Sequence, residues 1–229
     1  MRIDYKDKER GEKFFLVSWT MSNKCNYSCS YCPDMLHNGT TGHPKWESVK
    51  HFITSLSLPE RNICYRISGG EPTTWKYFTD MAKLVKDQGH TFTFLTNGFR
   101  KIEYFEEISR HSDGILLSYH PEYATPEHFA AIARNSHCPV AVQLMLVPEQ
   151  FDQLCEIARQ IYEGDTNVAI WPKVILDKQT FSNEMYAYTQ DQLDFIANWP
   201  YYRAIDDYYL DRGAITLDNE EIKMNQIIT

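Results

Sequence analysis

Phe14-Phe15-Leu16-Val17-Ser18-Trp19-Thr20 is followed, after three intervening residues, by Lys24-Cys25-Asn26-Tyr27-Ser28-Cys29-Ser30-Tyr31-Cys32-Pro33. The first stretch is apolar and aromatic, the composition of a strand. The second places three thiols within eight residues at the spacing C-x-x-x-C-x-x-C. A closed [4Fe-4S] cluster takes four thiolates, so a three-cysteine loop leaves one iron open to a ligand that is not protein. An open iron points to chemistry rather than to storage of electrons.

Working outward from that strand and loop, β-type and helical runs alternate. Residues 46–56 place Val49, Phe52 and Ile53 on one helical face by the i, i+3, i+4 rule. Ile63-Cys64-Tyr65-Arg66-Ile67-Ser68 reads as a second strand and ends at Gly69-Gly70-Glu71-Pro72. Helices over 77–87, 102–110, 126–133 and 151–162 then alternate with strands over 91–96, 115–119, 140–147 and 168–174. Strands separated by helices imply parallel pairing with right-handed crossovers, so six units predict an α/β fold: an open or partial (βα)6 barrel rather than the eight-fold closed one. The boundaries expected are a charged leader at 1–13, the barrel at 14–176 and a cap at 177–229. That tail holds one helix at 190–199 and an aromatic, acidic segment at 201–209, read as a solvated or lid-like cover. It lacks cysteines for an auxiliary cluster.

Ligands of parallel βα folds collect at the carboxyl ends of the strands. The cysteine loop follows strand one, Ser68-Gly69-Gly70-Glu71 strand two, Thr96-Asn97-Gly98 strand three and Ser118-Tyr119-His120 strand four.

The cysteine loop, with Tyr31 as the aromatic before its last cysteine, and Ser68-Gly69-Gly70-Glu71-Pro72 about forty residues later together resemble the radical S-adenosylmethionine (SAM) enzyme family. The resemblance implies a partial (βα)6 barrel, a [4Fe-4S] cluster on Cys25, Cys29 and Cys32, and SAM as cofactor. It also implies that Gly69-Gly70-Glu71 holds the methionine amino group of SAM, while the open iron binds that group and the neighbouring carboxylate. Tyr31 matches the family's position against adenine, Ser118 a polar contact to ribose or carboxylate, and the segment around Trp171 the flank of adenine. Thr96 and Gln143 join this cofactor-facing set. Reductive cleavage of SAM in the family yields methionine and a 5'-deoxyadenosyl radical that abstracts hydrogen from substrate. A one-electron donor such as flavodoxin or ferredoxin is then a partner.

Each residue also has a plainer reading. Closely spaced cysteines often bind zinc, with His37 or His43 as the obvious fourth ligand. A Gly-Gly pair alone marks a turn, although without side chains it also allows backbone to approach a ligand, and Glu71 offers a carboxylate to an ammonium. Ser118 can satisfy its hydroxyl on local backbone. Gln143, inside an apolar strand, is a ribose or substrate contact or a satisfied core amide. Trp171 can be core. Arg66, His120 and Lys173 are candidates for an anionic substrate group or for rim salt bridges. Cys64, Cys138 and Cys155 lie in apolar segments and read as buried thiols.

The 229-residue chain is 43% hydrophobic and carries a formal charge of -8, enough for one core and without the basic run that bulk nucleic-acid binding needs. No stretch approaches the roughly 18 apolar residues of a membrane span, and the N-terminal residues lack the apolar centre of a signal peptide. A cytoplasmic, reduced setting is expected. The reading is an enzyme acting on an unidentified substrate, with a small metabolite or nucleoside favoured over a peptide because no recognition extension is evident. The alternatives are a non-catalytic zinc or iron-sulfur protein, and the barrel half of a larger assembly, since the chain stops in Ile227-Ile228-Thr229 without an evident cap.

Overall fold

The computed structural model describes residues 14–58, 62–164, 168–175 and 187–201, and the backbone of two further strands at 214–217 and 220–223. Six strands form one sheet: β1 (Phe14–Thr20), β2 (Asn62–Ser68), β3 (Thr91–Thr96), β4 (Gly114–Tyr119), β5 (Val140–Leu146) and β6 (Ala169–Val174). Their spatial order is their chain order, and each neighbouring pair is parallel. Between them run α1 (Trp46–Ser55), α2 (Phe78–Asp87), α3 (Ile102–Ser109), α4 (Pro126–Asn135) and α5 (Phe151–Gly164). The expected limits of these strands and helices hold to within about two residues, because period-2 and period-3.6 apolar patterns alternate cleanly along this stretch.

A sheet wound in one direction with right-handed crossovers puts every helix on the same side. The buried residues show this. Tyr65, Phe92, Phe94, Leu117, Val142 and Ile170 share one large core with Val49, Phe78, Met81, Phe105, Phe129, Leu154 and Ile161 of the helices. The alternate strand residues point the other way, where Leu116, Ala141, Ala169 and Trp171, with Leu95 against them, form a separate cluster. This second face is the lumen of an open barrel: β1 and β6 lie at opposite ends of the strand order.

Helix α1 departs slightly from expectation. Val49 and Ile53 are buried, but Phe52 is 40% exposed and sets its ring edge-on to Trp19 at 5.3 Å. It lies over β1, the edge strand, where Phe15 and Leu16 are also exposed. Here the helix has sheet beneath it on one side only. Cys64 is buried, while Cys138 and Cys155 are half-buried against the helix-side core.

In the tail, α6 (Gln190–Ala197) starts at a capping box between Thr189 and Gln192. It packs beside α5 and β6: Ile196 joins the helix-side core, Phe195 meets Phe151 edge-on at 5.9 Å, and the Trp199 indole donates to the Ile170 carbonyl at 3.0 Å. Tyr188 donates its hydroxyl to the Leu146 carbonyl and accepts from the Ile175 amide. The tail between 187 and 201 therefore covers the β6 end of the sheet. The two further strands, β7 (Ala214–Leu217) and β8 (Glu220–Lys223), pair antiparallel. The leader at 1–13 and most of the 201–209 segment lie outside the described residues. No described helix is long and apolar enough to cross a membrane.

Candidate functional site

The two sequence motifs are built against each other. The Met21 amide donates to the Ser68 carbonyl at 2.9 Å and the Glu71 amide to the Lys24 carbonyl at 2.6 Å, so the end of β2 clasps the entry to the cysteine loop. Gly69 has φ +108°, and a Cβ there would fall 2.4 Å from the Ser22 carbonyl oxygen. At Gly70 a Cβ would fall 2.0 Å from the Lys24 carbonyl oxygen. The space beside both glycines is filled by the protein's own main chain, so their first duty is to let two backbones touch.

Glu71 is completely buried. Its Oε1 accepts from the Thr73 amide (3.0 Å), the Thr73 hydroxyl (2.6 Å) and the Thr96 hydroxyl (2.8 Å), and its Oε2 from the Asn97 amide at 2.6 Å. Burial raises its pKa, and these bonds oppose part of the rise. The Thr73 and Asn97 amides can only donate, so they favour the ionised form against that burial. Whatever it offers a cofactor, this carboxylate also ties the ends of β2 and β3 together. Thr96 belongs to the same tie, with its hydroxyl spent on Glu71.

Asn23 anchors the far side of the loop. Its amide nitrogen reaches the Met35 carbonyl, Asn38 Oδ1 and Thr40 Oγ1 at 2.9, 2.8 and 3.0 Å, and its oxygen accepts from the Thr41 amide at 2.7 Å. Cys25, Cys29 and Cys32 stand as thiols within this frame. Cys25 Sγ accepts from the Tyr27 amide at 3.4 Å and lies 3.9 Å from Asn97 Nδ2. Cys29 Sγ lies 3.4 Å from His120 Nδ1. Burial raises the pKa of Cys25 and pushes Cys29 up to about 12. Tyr31 sets its ring parallel to His120, its hydroxyl 2.7 Å from Nδ1. Burial holds His120 down to about 4, so the imidazole is neutral, and its tautomer sets which of Nδ1 and the Tyr31 hydroxyl donates.

The lumenal candidates fall into register. Ser118 lies opposite Gln143, and Gln143 opposite Trp171, a lateral row across β4, β5 and β6. Trp171 Nε1 in that row, like Thr93 Oγ1 on β3, is a buried polar atom without a partner among the described residues. Beneath the row lies the apolar cluster of Leu95, Leu116, Ala141 and Ala169. Arg66, opposite Thr93, and Lys173, opposite Met145, share the lumenal face. His120 stands apart from them, against Cys29 and Tyr31.

Residues 19–139, more than half of the 229-residue chain, match the family model described as the Radical SAM superfamily. The chain belongs to that superfamily. The cofactors of radical SAM enzymes are a [4Fe-4S] cluster and SAM. Curated relatives include an S-adenosylmethionine-dependent nucleotide dehydratase of Selenomonas ruminantium, 29% identical over 37% of this chain and 30% of that protein. A GTP 3',8-cyclase of Photorhabdus laumondii is 28% identical over 38% of this chain and 28% of its own. The chain thus spans under a third of the length of these relatives. Similar solved structures include archaeal TYW1, with 17% identity, TM-score 0.48, and coverage of 86% of this chain and 75% of that one. TYW1 with a lysine-pyruvate adduct bound gives 14% identity, TM-score 0.45, and coverage of 86% and 76%.

The residues present fit the radical SAM cofactors. Three thiols in one loop are a soft donor set for iron-sulfur chemistry, and an N–H directed at a ligand sulfur, as Tyr27 supplies to Cys25, is a feature that tunes such sites. The orphaned indole N–H of Trp171 offers a donor to a bound molecule. Of the two histidines in the zinc reading, His43 spends both ring nitrogens, on Ser22 Oγ at 3.1 Å and Thr74 Oγ1 at 3.0 Å, while His37 Nδ1 is buried without a partner among the described residues.

Sequence reading missed Glu122 and Tyr123, which touch the cysteine loop. Glu122 Oε1 accepts from the Ser30 amide at 2.9 Å, and the Tyr123 hydroxyl from the Ser28 amide at 3.3 Å. Their only signal was position, just past the carboxyl end of β4.

Proposed function

We propose that this chain is the barrel of a radical SAM enzyme that removes a hydrogen atom from a small polar metabolite, with nucleosides and nucleotides favoured over peptides. The observation that carries the reading is the three-thiol loop clasped by Ser68-Gly69-Gly70-Glu71 at the carboxyl end of a parallel sheet. When bound, the cluster supplies the electron for reductive cleavage of SAM to methionine and a 5'-deoxyadenosyl radical. Cys25, Cys29 and Cys32 hold the cluster. The main chain of Gly69 and Gly70, the Tyr31 ring and the row of Ser118, Gln143 and Trp171 hold SAM. Glu71 and Thr96 keep the ends of β2 and β3 in place beneath it. The apolar floor of Leu95, Leu116, Ala141 and Ala169 keeps water from the reacting atoms.

The nucleotide preference is supported by the names of the relatives, a nucleotide dehydratase and a GTP cyclase. Arg66 and Lys173, on the lumenal face, suit an anionic group on such a substrate. A one-electron donor such as flavodoxin or ferredoxin completes the partners. The barrel extends over 14–176, between a leader at 1–13 and a tail at 177–229.

The test uses protein reconstituted with iron and sulfide without oxygen, reduced with dithionite and given SAM. We expect 5'-deoxyadenosine from wild type and none from Cys29→Ala, with nucleoside mono-, di- and triphosphates each raising the wild-type yield or leaving it unchanged. No 5'-deoxyadenosine from iron-loaded wild type would overturn the enzyme reading. A yield raised by peptides but by no nucleotide would overturn the substrate class alone.

A further inference from the structure

We infer that His120, Glu122 and Tyr123, in the segment that leaves β4, are positioning residues for the iron-sulfur cluster, holding each link between successive cysteine ligands. The inference rests on the family's cluster chemistry. Between Cys25 and Cys29, the Tyr27 ring stacks on Tyr123 with centroids 4.2 Å apart and planes 9° from parallel, and the Ser28 amide donates to the Tyr123 hydroxyl. Between Cys29 and Cys32, Glu122 takes the Ser30 amide on both carboxylate oxygens, at 2.9 and 3.1 Å, and the Ser30 hydroxyl on one of them. His120 Nδ1 lies 2.7 Å from the Tyr31 hydroxyl and 3.4 Å from the Cys29 sulfur.

The physical need is plain. A cubane fixes the mutual placement of its ligand sulfurs, and an eight-residue loop free to explore other shapes would lose conformational entropy on each loading. Main-chain amides fixed by side chains from another strand's loop set the ligand spacing beforehand. Glu122 adds a negative charge near the site. Net charge is among the features that set a cluster's potential, and a nearby anion disfavours the reduced, more negative state.

The test follows iron loss from the anaerobically reconstituted full chain to a chelator, together with the electron paramagnetic resonance spectrum and midpoint potential of the reduced cluster. For Glu122→Ala we expect iron loss 10 to 100 times faster than wild type, the range seen when groups supporting metal ligands are removed. Glu122→Gln keeps an oxygen for the Ser30 amide and should restore retention while shifting the potential upward. Tyr123→Phe, which keeps the ring on Tyr27 but loses the acceptor for Ser28, should fall between. Glu156→Ala, removing an exposed partner of Arg159 on α5, should match wild type. Iron loss and spectra in Glu122→Ala equal to wild type would overturn the proposal. So would Glu122→Gln losing iron as fast as Glu122→Ala with a lowered melting temperature, which would make Glu122 a residue of the fold. Wild type that loads no iron would overturn the family chemistry itself, a result distinct from the other two.

Discussion

The cysteine loop and the Gly-Gly-Glu turn sit back to back, yet their polar groups are used in opposite ways. Glu71 is sealed in, with four donors on its two oxygens. The thiols of Cys25 and Cys29 have long contacts, of 3.4 to 3.9 Å, to nitrogen, and Cys29 also meets the Tyr31 hydroxyl. One motif is saturated by the protein and fixes geometry. The other keeps its strong ligand capacity for something the protein does not supply. On the function proposed above, a turn that holds the loop gains from rigidity, and a loop that binds iron gains from donor groups not yet committed.

The sharpest break of this contrast is Cys29→Ala. It should abolish the cluster, read as loss of iron and of its brown absorbance, while moving the melting temperature by no more than about 4 °C, roughly 1 kcal/mol at this size. Glu71→Ala should do the reverse in kind. Stranding the buried Thr73 and Asn97 amides should lower stability by about 4 kcal/mol in urea titration, with iron binding lost only as the fold is lost. Iron loss from Glu71→Ala at undiminished stability would put the carboxylate in the cofactor site instead.

Gly70→Ala joins the two effects. Its Cβ, 2.0 Å from the Lys24 carbonyl, must push the loop off the turn, so about 3 kcal/mol of stability and most iron binding should go together. The smallest effect concerns His43, which links Ser22 at the loop to Thr74 at the turn. Burial, aided by Lys24, holds its pKa below the ordinary imidazole value of 6.5. With the folded pKa depressed, the unfolded chain takes up the proton first, and stability present above pH 6.5 is lost as pH falls through the folded pKa. Urea midpoints at about pH 7.5 and 5.5 should therefore differ less in His43→Gln than in wild type.

Much of this was legible in the chain itself. The cysteine spacing and the six alternating units required only local patterns, and the strand ends duly gather Cys25, Gly69, Asn97 and His120 at one end of the sheet. What each side chain touches was less legible. For Glu71 the sequence shows a carboxylate beside two glycines but not the Asn97 amide 26 positions away that it accepts from. His120, a candidate for an anionic group or a rim salt bridge, meets Tyr31, 89 positions away.

The sequence by itself determined the donor set, the order of strands and helices, and the alternation that gives the sheet a helix side and a lumen, because these follow from covalent spacing and from the periods of local backbone geometry. Only the tertiary structure decided that Glu71 is internal, that both glycines serve backbone contact, and that Glu122 and Tyr123 grip the cysteine loop. A side chain that accepts from a distant main-chain amide needs no particular residue type at the amide, so Ser30 and Glu122, 92 positions apart, leave no mark on each other until the fold brings them together.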